Sequence, residues 1–178
     1  MSCSTTKSNK VEQLVATTIK LADEKLKRNL PWQAIDVYEK AYAKIPDYRL
    51  LFNEALVYGK MERYVDSVFL CDEGIEKFDD EKNSFIKAKA FYLKKSGMNK
   101  DAKATYELYL ENVPDDNNVR TEYMIFCKDN NYIDEAFESA TYLWENKVYN
   151  SDVVEILHSV EPDKWEVMLK VFPPKKED

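Results

Sequence analysis

Glycine and proline are scarce in this sequence, which has only 3 glycines and 6 prolines among its 178 residues. Because these residues serve tight turns and interrupt helices, their scarcity disfavours a turn-rich β architecture and favours helices with short connections. The 3 cysteines show no Cys-x-x-Cys spacing, which indicates neither a disulfide framework nor a zinc site. No apolar run reaches the roughly 18 residues of a membrane span. We therefore expect an all-α protein of the cytoplasm, or alternatively of the nucleus, without membrane insertion.

Residues that commonly build enzyme active sites are also few. The single histidine, His158, lies in no recognisable nucleophile motif, and the glycines are too isolated to form a phosphate-binding loop. Acidic pairs such as Asp79-Asp80 lack the alternating oxygen ligands of a calcium loop. The sequence thus predicts a non-enzymatic protein with no catalytic residues, no cofactor and no metal. An enzyme of unrecognised fold is the different-class alternative.

Positive charge is in the minority, since the formal net charge is -7. The acidic excess is concentrated after residue 115, so the chain is polarised from end to end. Affinity for nucleic-acid backbones comes largely from clustered Lys and Arg. This composition therefore disfavours nucleic acid as the partner.

Four segments of the sequence share one pattern of small and large residues. Each has a small residue, a second position four residues later and a third position three residues beyond that, which together form one helical face. The small residues are Ala34, Ser67, Ala102 and Ala136, followed by Tyr38, Cys71, Tyr106 and Ala140, and then by Ala41, Gly74, Tyr109 and Leu143. Successive small residues are therefore 33, 35 and 34 positions apart.

A second helical pattern precedes each of these segments, with its own inward position at Ala22, Ala55, Ala90 and Met124. A helix–turn–helix unit with a period near 34 residues resembles the tetratricopeptide repeat. The resemblance covers roughly residues 15–150. It implies an all-α, right-handed superhelical array of antiparallel helix pairs, a fold also called an α-solenoid.

The repeat register predicts the organisation of the whole chain. The predicted helices lie near 12–28, 30–44, 48–60, 64–77, 83–96, 99–112, 117–129 and 133–147. The repeats would span about 15–47, 48–82, 83–116 and 117–150 within an array over 11–150, preceded by a disordered segment 1–10. Residues 151–172 would form C-terminal capping helices anchored by Trp165, and 173–178 a polar tail.

Three residue types support these boundaries. Asp47, Asp80 and Asp116 lie where later first helices should begin, as N-cap acceptors or first-turn charges. Asn29 could cap the second helix of the first pair. Gly97 lies where a first helix should end, because glycine readily adopts the left-handed conformation found there.

The resemblance also implies a function, which is that of a protein-binding adaptor or scaffold within a multiprotein complex. In this family the first helices of the repeats line a concave groove, and the register then gives nine partner-binding residues. They are Ile19, Phe52, Asn53, Leu56, Lys87, Phe91, Lys94, Ile125 and Lys128. An apolar strip with basic residues beside it would suit a protein segment with apolar anchors and nearby acidic residues.

The same resemblance excludes one kind of ligand and leaves one narrower alternative. The clamp that holds chaperone carboxyl termini by two carboxylates is missing, because only Asn53 matches its pattern and Ile19, Asp23, Ser84 and Ala88 occupy the other places. The spacing of Tyr106, Tyr109, Tyr123 and Phe126 also resembles the half-tetratricopeptide type, which would make the chain a scaffold subunit of an RNA-processing ribonucleoprotein.

Overall fold

A computed structural model describes the backbone of residues 3–173 and the side chains of residues 9–173. Within this range the chain is all-α, with no β-strand. Its helices are α1 (Cys3–Lys27), α2 (Pro31–Tyr42), α3 (Tyr48–Lys60), α4 (Tyr64–Lys77), α5 (Lys82–Lys95), α6 (Asn99–Asn112), α7 (Asn117–Asp129), α8 (Ile133–Glu145), α9 (Ser151–Val160) and α10 (Pro162–Val171). A short 3-10 helix, Asp79–Glu81, precedes α5.

The helix positions predicted from the repeat are confirmed, apart from the start of the first one. Residues 3–10 belong to α1, so the expected disorder of 1–10 is wrong for them. No glycine or proline occurs before Pro31, and a helix that has already nucleated gains one hydrogen bond for each residue it adds. Residues 1–2 and the polar residues 174–178 lie outside the described range.

The predicted helix ends are largely explained by local hydrogen bonds. Asp47 accepts a bond from the backbone N–H of Arg49, and Asp116 accepts one from Val119. Asp80 lies instead in the 3-10 helix, and among the described residues no side chain caps α5. Gly97 follows α5 with a φ of 76°, as the predicted stop requires. The prediction for Asn29 is wrong, because it ends α1 with a left-handed φ of 57° and makes no side-chain cap for α2. Asparagine tolerates that conformation well.

The chain divides into two compact units, Met1–Thr105 and Tyr106–Asp178, with the boundary inside α6. In the first unit, consecutive helices from α1 to α5 pack against each other. Among the described residues, its core includes an apolar cluster around Leu50 and Tyr38 and another around Phe85 and Tyr92.

The inward positions of the repeat are buried. Ala22, Ala34, Ala90 and Ala102 have no exposed surface, and neither do Ser67, Cys71, Met124 and Ala140. Small residues at these places allow helix axes to approach closely, whereas Met124 fills the same place with a larger side chain.

Gly74 is required by the contact between α4 and α5. A Cβ atom added there would lie 2.3 Å from Cδ1 of Phe85, a ring that is completely buried. Gly74→Ala is therefore expected to lower the free energy of unfolding by about 1–3 kcal/mol, through displacement of that ring. Urea unfolding followed by circular dichroism would measure the loss. An alanine variant as stable as the wild type would contradict this packing.

The second unit contains the last residues of α6 together with α7, α8, α9 and α10. Tyr106 contacts the rings of Tyr123 and Phe126 on α7, with centroid distances of 5.8 and 5.7 Å. Helix α7 packs against α8, α8 against α9, and α9 against α10. No helix of the described range combines the length and apolar character that a membrane span requires.

Candidate partner-binding groove

The C-terminal halves of α3 and α5 and the first residue of α4 enclose an open cavity in the first unit. Its volume is about 300 Å³, a size at the lower end of small-ligand and peptide-anchor pockets. The lining residues are Leu56, Gly59 and Lys60 from α3, Tyr64 from α4, and Phe91, Tyr92 and Lys95 from α5. We call this cavity the α3–α5 groove.

The wall of the groove is held in place by aromatic contacts. A Cβ atom on Gly59 would lie only 2.3 Å from Cε1 of Tyr92, so glycine allows this ring to lie directly on α3. The Tyr92 ring also stacks on Tyr64 at 6.3 Å and meets the edge of Phe91 at 5.4 Å. Burial raises the pKa of Tyr92 to about 12, so its hydroxyl stays neutral at physiological pH.

Lysines flank the apolar surface. The Nζ atoms of Lys94 and Lys95 lie 5.7 and 5.6 Å from the ring centroid of Phe91, which is the range of a cation–π contact. Among the described residues, Lys60 and Lys95 have no acidic partner within ion-pair distance. Phe91 itself is 39% exposed. The groove therefore offers an accessible aromatic anchor with positive charge beside it.

Solved structures similar to this one share a single type of architecture. A tetratricopeptide repeat protein from Parabacteroides merdae matches with a TM-score of 0.70 and 13% identity, over 85% of this chain and 61% of that one. PilF of Pseudomonas aeruginosa matches with a TM-score of 0.68 and 16% identity, over 90% and 78% of the two chains. YrrB matches with a TM-score of 0.57 and 14% identity, over 95% and 98%, and is described as a tetratricopeptide-repeat protein with an unusual peptide-binding site.

The chain has the tetratricopeptide-repeat fold. The all-α fold class inferred from the repeat is thereby confirmed. No protein-family profile and no curated protein sequence matches it. The chain spans about three fifths of the Parabacteroides protein, so that protein's partners are no guide to this one.

Within this tetratricopeptide-repeat fold, two of the nine predicted partner-binding residues meet at the groove. Leu56 and Phe91 line it from successive first helices. Lys94 contacts the Phe91 ring from the next turn of α5. Lys87, also on α5, is exposed.

The other predicted residues of the first unit have structural contacts of their own. Phe52 meets the buried ring of Phe85 edge-on at 5.3 Å, and so supports the core between α3 and α5. The amide of Asn53 donates a hydrogen bond to the carbonyl oxygen of Arg49 at 2.7 Å. Ile19 packs, half-buried, against the first core cluster.

Two predicted residues belong to the second unit. Ile125 is half-buried on α7, and the ammonium group of Lys128 pairs with the carboxylate of Glu155 on α9. Neither residue is part of the lining of the α3–α5 groove.

The sequence pattern did not single out Gly59, Tyr64 or Tyr92 as part of a site. A glycine in the interior of a helix is unfavourable by roughly 1 kcal/mol relative to alanine, and so indicates a close approach by another group. Gly59 could have indicated the groove from the sequence, because it lies one turn from Leu56 on the same helix. The partner ring, Tyr92, could be found only from the structure.

Proposed function

We propose that this chain is an adaptor without catalytic activity that binds a segment of a partner protein in the α3–α5 groove, as one component of a multiprotein complex. The observation that carries the proposal is the exposed Phe91 ring beside a cavity bordered by Lys60 and Lys95. Apolar side chains of the partner would fill the cavity, and its acidic residues would lie near the lysines. YrrB, which shares the fold, is described as having a peptide-binding site.

The aromatic character of the groove favours a protein partner. Binding energy at protein interfaces is concentrated in a few buried anchors, and aromatic residues are enriched among them. Charged residues around such anchors mainly accelerate association and select partners of opposite charge. In the α3–α5 groove, the anchors would be Leu56 and Phe91. The surrounding charges would be those of Lys60 and Lys95.

The proposal predicts that Leu56→Ala with Phe91→Ala weakens binding by about 2 kcal/mol or more, mainly through faster dissociation. The partner would be captured from the native extract, and its binding segment measured by surface plasmon resonance. The matched control is Val65→Ala with Phe69→Ala, since these side chains on α4 are 68% and 69% exposed and lie outside the groove. Circular dichroism must show that both double variants are folded.

Charge reversal should change a different rate constant. Lys60→Glu with Lys95→Glu is expected to slow association and to reduce its salt dependence, because exposed charges act through long-range steering. Lys20→Glu with Lys44→Glu makes the same change in net charge at exposed sites outside the groove. The groove assignment fails if the partner binds the two groove variants as tightly as it binds the wild type.

A further inference from the structure

The second unit contains a larger cavity, of about 510 Å³, whose lining differs in charge from the α3–α5 groove. It lies between the C-terminal half of α6 and helices α7 and α8. Its lining residues are Glu107, Leu110 and Glu111 from α6, Arg120 and Tyr123 from α7, and Glu135, Glu138, Ser139 and Tyr142 from α8. We call it the acidic cavity.

Carboxylates dominate this lining. Four glutamates face a single arginine, so the cavity has a negative potential that attracts cations. Glu107 accepts a hydrogen bond of 2.8 Å from the hydroxyl of Tyr123. Glu111 and Glu138 are exposed at the rim. A positively charged group entering the cavity could therefore reach carboxylates on both α6 and α8.

One polar group of the cavity indicates that a cation alone is an incomplete ligand. The Nε of Arg120 is buried and has no acceptor among the described residues. Buried donors without acceptors are uncommon and cost about 1–3 kcal/mol. This donor would be satisfied by a ligand that carries an acceptor oxygen.

The remainder of Arg120 is already fixed. One of its terminal nitrogens donates to the carbonyl oxygen of Pro114 at 3.2 Å, and the guanidinium carbon lies 3.8 Å from the ring centroid of Tyr142. The Tyr142 hydroxyl in turn donates to Asp115 at 3.3 Å. These contacts fix the position of the guanidinium group, so its unpaired Nε–H is a preorganised hydrogen-bond donor in the cavity wall.

We infer that the acidic cavity binds a basic segment of a partner protein. A lysine or arginine side chain of that segment would pair with the glutamates, and its aliphatic stem would pack against Leu110 and the tyrosine rings. A backbone carbonyl of the same segment would accept a hydrogen bond from Nε of Arg120. A polypeptide carries both the cation and the acceptor, whereas a polyamine carries cations only. This site does not depend on the groove proposed above, which selects the opposite charge.

The probe is a peptide of four lysines, acetylated and amidated at its ends, titrated into the full chain by calorimetry and by NMR. Amide signals of Leu110 and Ser139 should shift, and Glu111→Lys with Glu138→Lys should weaken binding at least about tenfold. Glu76→Lys with Glu145→Lys makes the same charge change at exposed positions outside the cavity, and should weaken it less. Equal losses in the two double variants would overturn the inference, because they would show attraction by net charge alone.

A second arm separates a polypeptide from a small polycation. Arg120→Lys keeps the positive charge but removes the Nε–H, so it should weaken binding of the lysine peptide by several-fold and leave binding of spermine nearly unchanged. Equal effects of this variant on both probes would overturn the assignment of a polypeptide ligand. The melting temperatures of all variants would confirm that the cavity is still formed.

Discussion

Replacement of Trp165 by alanine is expected to lower the free energy of unfolding by about 3–5 kcal/mol, the range typical of a large aromatic side chain removed from a packed site. Trp165 is only 7% exposed, and its ring meets the edge of Trp144 at 4.8 Å. Its indole nitrogen also donates to Glu161 at 3.3 Å. It is the one residue of α10 that is buried, so this side chain holds α10 in place.

The matched control for Trp165 lies on the same helix. Val167 is 65% exposed, and its replacement by alanine should change stability by no more than about 0.5 kcal/mol. Urea unfolding, followed by far-ultraviolet circular dichroism and extrapolated to water, compares the two variants. Equal stabilities of Trp165→Ala and the wild type would show that α10 contributes nothing to the folded state.

Deletion of residues 151–178 extends the same prediction from one side chain to both terminal helices. Val153, Val154, Ile156 and Leu157 of α9 are all buried, and α9 packs against α8. Because the last repeat of an array exposes the face meant for a neighbour, the truncated chain should aggregate or lose most of its stability. A soluble truncated chain with wild-type stability would mean that α9 and α10 are an appendage and not a cap.

The fold was predictable because helix packing leaves a periodic record in the sequence. Close approach of paired helices demands small residues, and these recur at Ala34, Ser67, Ala102 and Ala136 with a period near 34. Trp165 lies beyond the repeats and was expected instead as the anchor of the capping helices. Each of these residues is buried.

The candidate sites were only partly predictable, because a helical face does not identify its neighbours. Phe52 and Leu56 lie one turn apart on α3, yet Phe52 contacts buried Phe85 whereas Leu56 lines the groove. Likewise, Tyr123 and Glu107 belong to different repeats and meet only in the folded chain. Such contacts depend on the rotation of adjacent helices, which the spacing of small residues does not specify.

In two repeats, the residue just before the inward position of the first helix pairs with a carboxylate on the preceding helix. Lys89 occupies that place on α5 and pairs with Asp72 of the preceding helix. Tyr123 occupies it on α7 and donates to Glu107. Asp72 and Glu107 are themselves equivalent, since each follows the small residue of its helix by five positions. Two repeats thus satisfy a carboxylate on the second helix with a donor from the next first helix.

Glu54 occupies the same place on α3, where the two later repeats have a hydrogen-bond donor. The equivalent carboxylate on α2 is Glu39, so the helices present two acids to each other where the later repeats present an acid and a donor. Glu54 is only 4% exposed and has no hydrogen-bond donor among the described residues. Burial, reinforced by Glu39 and Glu73, raises its pKa to about 7.

The other groups near Glu54 do not neutralise it. Glu73 on α4 accepts hydrogen bonds from Tyr42 at 3.0 Å and from Lys77 at 2.8 Å, so these two donors are already engaged. On α3 itself the nearby group is Tyr58, whose pKa is raised by burial and then by Glu54. Protonation of Glu54 is therefore the means by which the folded chain relieves the repulsion.

This arrangement predicts that stability falls as the pH rises. The folded-state pKa of Glu54 lies above its ordinary value of 4.5, so the folded state binds the proton more tightly than the unfolded state does. The stabilising contribution is complete below about pH 4.5 and is lost as the pH passes through 7. A shift from 4.5 to about 7 corresponds to about 3 kcal/mol.

Glu54→Gln should remove this dependence, because the amide has nearly the same shape and does not ionise. The variant should match the wild type near pH 4.5 and exceed its free energy of unfolding by about 3 kcal/mol at pH 8. Urea unfolding at several pH values gives the difference between the two proteins, in which all the titrations that they share cancel. Glu76→Gln, an exposed change on α4, should show no such difference at any pH.

Glu54→Lys tests whether the lack of a donor opposite Glu39 causes the loss of stability at high pH. If the lysine pairs with Glu39 as Lys89 pairs with Asp72, this variant should also be more stable than the wild type at pH 8. A gain for glutamine with a loss for lysine would mean that the site needs neutrality and cannot hold an ion pair. A constant difference between Glu54→Gln and the wild type from pH 4.5 to 8 would contradict the whole account, because Glu54 would then ionise in the folded chain as it does in the unfolded one.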